Sequence, residues 1–91
     1  HWLYAFLRHD PKTHQAFLIV ANFHGQRTLS GVRIIIPPEA ERWLAREGLR
    51  EWHFYDRLGE WSTAQAAEAI QHPGLALPDL PPCSAMAIEI R

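Results

Sequence analysis

Ala16–Phe23 reads AFLIVANF, and this stretch decides the fold. In an extended chain Phe17, Ile19, Ala21 and Phe23 fall on one side and Leu18 and Val20 on the other, because strand side chains alternate between faces. A strand with no polar face needs cover on both faces, so the stretch predicts a central strand of a packed sheet. It closes on Asn22, the chain's only asparagine, and contains no nucleophile, acid or base. The centre of the molecule is therefore expected to be scaffold, with function at its edges or in a partner.

Working outward, Trp2–Arg8 alternates Trp2, Tyr4 and Phe6 against Leu3, Ala5 and Leu7, and Asp10-Pro11 opens a turn. The two runs read as an antiparallel hairpin. Thr28–Ile36 predicts a third strand with Val32, Ile34 and Ile36 facing inward, stopped by Pro37-Pro38, neither of which can donate to a ladder. The period then changes. Pro38, Glu39 and Glu41 suit a first helical turn, Ala40, Trp43 and Leu44 form a short apolar stripe, and Gly48 suits a C-cap, so Glu39–Gly48 reads as a short helix.

Trp52–Leu58 alternates as an aromatic strand that Gly59 closes. Ser62-Thr-Ala-Gln65 fits a capping box, which predicts a second short helix over Ser62–Gln71 ended by His72-Pro73-Gly74. Leu75–Leu77 and Ser84–Ile90 read as strands, the latter with Met86, Ile88 and Ile90 on one face. The sum is a mainly β domain over residues 1–91. The expected architecture is an antiparallel β-sandwich, Greek-key-like, of about six to eight short strands with two short helical insertions.

Composition narrows the function. The chain has 91 residues, with nine basic and ten acidic side chains and a formal net charge of −1. That balance argues against a nucleic-acid partner, which calls for a clustered basic footprint, and against an anionic membrane surface. No apolar run approaches the ~18 residues of a membrane span. The single cysteine, Cys83, excludes an internal disulfide. The chain begins at His1 and enters a strand-like run at once, which reads as a piece of a longer protein.

Reactive constellations are sparse. His9, Asp10 and His14 flank one turn, but they lack a metal-site spacing and a further nearby ligand; solvated turn residues are the favoured reading and no metal or other cofactor is expected. Asp56 and Glu60 imitate a carboxylate pair, yet no pocket is implied, and Asp56 reads better as a turn cap. Cys83 follows Pro81-Pro82 with no activating base and reads as a small, half-buried residue. The five glycines are isolated and form no phosphate loop. The four tryptophans are the best lead. Trp43 and Trp61 are the candidates for stacking on sugar rings; Trp2 and Trp52 lie in strands and read as core or interface, and Trp2, Tyr4 and Trp52 are the candidates for packing on a neighbouring domain.

The order of these features resembles the C-terminal β-sandwich domain of alpha-amylase-superfamily enzymes, glycoside hydrolase family 13 and close relatives. Four pieces carry the resemblance, in order: Leu3-Tyr-Ala-Phe-Leu-Arg8; Phe17-Leu-Ile-Val-Ala-Asn-Phe23, like the family's "VVVNF" strand; Tyr55-Asp-Arg-Leu-Gly59; and Leu80-Pro-Pro-Cys-Ser-Ala-Met-Ala-Ile-Glu-Ile90. The helices over Glu39–Gly48 and Ser62–Gln71 are larger insertions than the minimal domain carries. The resemblance implies an accessory domain that stabilises a catalytic (β/α)8 barrel and in some members contacts α-glucan. The family's catalytic carboxylates lie in that barrel, so none maps onto this chain, which is expected to be non-catalytic alone. Asn22 and Arg8 match recurrent positions and are expected to cap a turn and to pair near the strand end. A stand-alone carbohydrate-binding module and an immunoglobulin-like interaction module are the competing readings.

Overall fold

The computed structural model describes residues 2–13, 15–37, 39–40 and 48–91. Among them are seven strands: β1 (Leu3–Asp10), β2 (Gln15–Asn22), β3 (Arg33–Ile34), β4 (Glu51–Asp56), β5 (Ser62–Ala66), β6 (Leu75–Ala76) and β7 (Ser84–Ile90). Five form one antiparallel sheet in the order β1-β2-β7-β4-β5. The short strands β3 and β6 pair as a second layer, extended by a bridge between Leu29 and Leu80. The fold is thus mainly β and sandwich-like, as the alternating runs predict.

The core lies between the layers. From the large sheet come Leu18, Val20, Trp52, Phe54, Met86, Ile88 and Ile90; from the second layer come Ile36, Ile70, Leu75, Leu77 and Leu80. Burying each large apolar side chain stabilises the fold by about 1.5–3 kcal/mol. The inward residues of the last strand are those its sequence pattern predicts. Trp52 corrects an expectation: it is 0% exposed, stacked beside Phe54 with ring centroids 6.5 Å apart, and so belongs to the core and not to an interface. The alternation of β4 directs Trp52 and Phe54 to the same inner face.

The second helix is also corrected. Ser62–Ala66 is a strand paired along β4, and helical structure begins only at Ala67, with a single α-turn over Ala67–Ala69 that runs into a π-type turn over Ile70–Gly74. Gln65 caps nothing. Its amide Nε2 donates to Ala76 O and its Oε1 accepts from Ala76 N, both at 3.1 Å, so the side chain pairs with β6 as a backbone would. Pairing with β4 and this cross-layer bond outweigh the weak local helix preference of the Ala-rich run. The expected helix over Glu39–Gly48 falls largely outside the described residues. The third strand is shorter than predicted, since only residues 33–34 pair with β6, although Ile36 is buried and Ile35 exposed as the alternation requires.

Two turn residues behave as expected. Asn22, buried at the end of β2, donates through Nδ2 to the carbonyls of Arg27, Leu80 and Pro81 and accepts from His24 N through Oδ1. Asp56 Oδ1 accepts from Leu58 N and Ala87 N, both at 3.1 Å, closing the β4–β5 turn onto β7. Cys83 differs from expectation: it is exposed, with a φ of 55°.

Candidate binding surface

The outer face of the five-stranded sheet is where apolar residues remain in solvent. Pairing registers put its side chains in transverse rows: Tyr4, Ala21 and Ala85; then Phe6, Ile19 and Ala87; then Arg8, Phe17, Glu89, Tyr55 and Ser62. The expected cover on both faces of β2 is therefore met on one side only. Leu18 and Val20 are buried, whereas Phe17, Ile19 and Ala21 are half-buried behind an aromatic ridge.

That ridge is made by β1 and the residue after β2. Trp2, Tyr4, Phe6 and Phe23 are 56%, 62%, 51% and 59% exposed. The rings support one another edge to face: Tyr4 on Phe23 at 5.4 Å and Trp2 on His24 at 4.9 Å between centroids. The His24 Nδ1 accepts backbone N–H groups of Gln26 and Arg27, which fixes the imidazole beneath Trp2. The two expected interface residues Trp2 and Tyr4 thus share one patch, and Phe6 and Phe23 join them. Phe6 was legible as the third member of the Trp2, Tyr4, Phe6 alternation, and Phe23 as the continuation of the Phe17, Ile19, Ala21 side.

Further along the same face stands a charged cluster. Arg57 Nε donates to Glu89 Oε1 at 2.7 Å, Arg91 Nε donates to Oε2 at 3.1 Å, and both guanidiniums lie 5.3 Å from the Tyr55 ring centroid. Burial opposes the ionisation of Glu89, but the hydrogen bonds and charges of Arg57 and Arg91 outweigh it and hold the carboxyl below its ordinary value. Arg8 is exposed and has no ion-pair partner among the described residues, contrary to the expected pairing.

Of the expected sugar contacts, Trp61 is half-buried at the wall of a cleft of about 230 Å³ between residues 58–61 and 78–81, with Glu60 and Asp79 at its rim. Trp43 lies outside the described residues, as does His14 of the His9, Asp10 and His14 turn. Among the described residues no group of three or more His, Cys, Asp or Glu side chains is placed to hold a metal. No helix among them is long and apolar enough to cross a membrane.

Comparison of the chain with protein-family profiles, with curated proteins and with solved structures found no match.

Proposed function

We propose that this chain is a non-catalytic accessory β-domain that docks through the outer face of its large sheet onto the catalytic barrel of an alpha-amylase-type glycoside hydrolase or transglycosylase. The single observation that carries the docking half is the aromatic ridge of Trp2, Tyr4, Phe6 and Phe23, more than half exposed at every position. Large aromatic side chains clustered on one exposed face mark a partner surface, where amphipathic rings are enriched. The kind of partner follows from the four sequence pieces that resemble the family's C-terminal domain. Stabilisation of the barrel is the main role, with α-glucan a further contact.

The immunoglobulin-like alternative finds less support. It calls for strands divided between two comparable sheets, whereas five of the seven described strands lie in one.

The test has two parts. Sequencing the coding region upstream of His1 is expected to show a (β/α)8 barrel with its catalytic carboxylates; any other upstream domain overturns the reading. In the two-domain protein, Tyr4→Lys with Phe6→Lys is expected to expose the interdomain junction to limited proteolysis. The same pair in the isolated domain is expected to leave it folded, with a thermal midpoint within about 10 °C of the parent. An uncleaved, fully stable two-domain variant also overturns it.

A further inference from the structure

At the turn end of the same face, next to the Phe6 end of the aromatic ridge, the β1–β2 hairpin holds a cleft of about 290 Å³ lined by Arg8, His9, Asp10, Gln15, Phe17 and Ile19. We propose that this cleft is a saccharide-binding site, taking a neutral polyhydroxylated ligand with its C–H face against Phe17 and its hydroxyls on Arg8, Asp10 and Gln15.

The lining selects the ligand class. The Arg8 guanidinium and the Asp10 carboxylate offset one another, with the His9 imidazole also in the wall, so the lining suits a neutral polar ligand better than a strongly charged one. It offers donors from Arg8 and Gln15 and acceptors from Asp10 and Gln15, which is what a hydroxyl, both donor and acceptor, requires. Phe17 and Ile19 supply the apolar side, and a few polar groups around an apolar floor are the usual make-up of a small-molecule site. The polar groups are held in place. Asp10 Oδ1 accepts from Lys12 N at 2.9 Å, a bond that lowers the carboxyl's pKa from its ordinary value, and Gln15 Oε1 accepts from Thr13 Oγ1 at 3.5 Å.

The Arg8 guanidinium has no carboxylate partner among the described residues and is left for a ligand. Phosphate-bearing ligands fit poorly, because Asp10 lines the cleft and Glu89 pairs beside Phe17 across the strands. The hairpin register brings these residues together: Arg8 faces Phe17 and Asp10 faces Gln15.

The site stands on this lining alone; only the choice of an α-glucan as first probe rests on the proposed function. Amide resonances of the 91-residue chain are followed during titration with maltoheptaose, cellohexaose and inorganic phosphate. One of the oligosaccharides is expected to shift Arg8, Gln15 and Phe17 saturably with a Kd of about 1–10 mM. Arg8→Gln and Gln15→Ala, both at exposed positions, are each expected to weaken binding at least ~5-fold with an unchanged thermal midpoint, as for the loss of one hydrogen bond. The proposal is overturned if neither sugar gives a saturable shift, if the shifts centre on Trp61, if phosphate binds the cleft more tightly than either sugar, or if both variants bind as the parent does. None of these outcomes bears on barrel docking, which is read at Tyr4 and Phe6.

Discussion

The side-chain amide of Asn22 donates to the carbonyl of Leu80, 3.0 Å away and 58 positions further along the chain. Through that bond, and those to Arg27 and Pro81, the end of β2 is tied to the loop that leads into β7. A buried amide with its donors and acceptor engaged fixes the relative position of the two layers at this corner. Asn22→Ala takes the Asn22 partner from Arg27 O and His24 N and leaves Leu80 O and Pro81 O with only Leu29 N and Ser84 Oγ, so the variant is expected to lose about 2–3 kcal/mol. For a domain of this size that lowers the thermal midpoint by roughly 10–20 °C. Asn22→Asp is nearly isosteric but sets a carboxylate against those carbonyls; it is expected to be as destabilised at neutral pH and partly rescued by acid. Calorimetry at two pH values checks both.

Gln65 performs the same service between the layers at the other side. Because its amide both donates to and accepts from Ala76, Gln65→Glu keeps the acceptor and removes the donor. The substitution is expected to cost about 1–3 kcal/mol at neutral pH, since Ala76 O then faces a carboxylate. Gln65→Ala is expected to cost a similar amount through two unpaired backbone groups. Urea denaturation midpoints for the two variants measure this; an unchanged midpoint in both would show the pairing to be energetically idle.

These two side chains also show how much the sequence disclosed. Asn22 announced itself as the one polar residue closing an apolar run, and its turn-capping role could be read locally. Gln65 sat in a pattern that satisfied a capping box, and nothing in its neighbourhood showed that Ala76 would arrive beside it. Strands were legible where period-2 alternation was long, as in β1, β2, β4 and β7. They were not legible where pairing with a distant strand decided the matter, as in β5. The site divides the same way. Trp2, Tyr4 and Phe6 share a face by simple alternation, whereas the Arg57, Glu89 and Arg91 cluster joins positions 32 apart and exists only once β4 and β7 are paired.

That cluster sets an acid limb to stability. The folded environment holds the Glu89 carboxyl below its unfolded value of about 4.3. A lowered folded value means the unfolded chain takes up the proton first as pH falls. The contribution is therefore whole above about pH 5 and is lost as pH drops through the folded value. Glu89→Gln removes the charge and keeps the shape. Its expected penalty at pH 7 is no more than about 1 kcal/mol, because both arginines are substantially exposed and screened. The gap between parent and variant should narrow progressively as the pH falls below about 5 and shrink in 1 M salt. A gap that neither acid nor salt narrows would show that Glu89 acts through packing instead.

Trp52 and Tyr4 started with the same expected role on a partner surface, and the fold separates them completely. Trp52 has no accessible surface and fills the core beside Phe54, whereas Tyr4 stands in solvent against Phe23. Trp52→Ala empties a large volume that neighbouring strands cannot close, and is expected to cost about 3–5 kcal/mol, enough to unfold a small domain near its stability limit. Trp52→Phe is expected to cost less, in part because it removes an indole N–H that has no acceptor among the described residues. Tyr4→Ala forfeits only an edge-to-face contact and is expected to stay within about 1 kcal/mol of the parent. Thermal melts of the three variants test the assignment: a Tyr4→Ala penalty as large as that of Trp52→Ala would mean the aromatic ridge holds the domain together and is not kept for a partner.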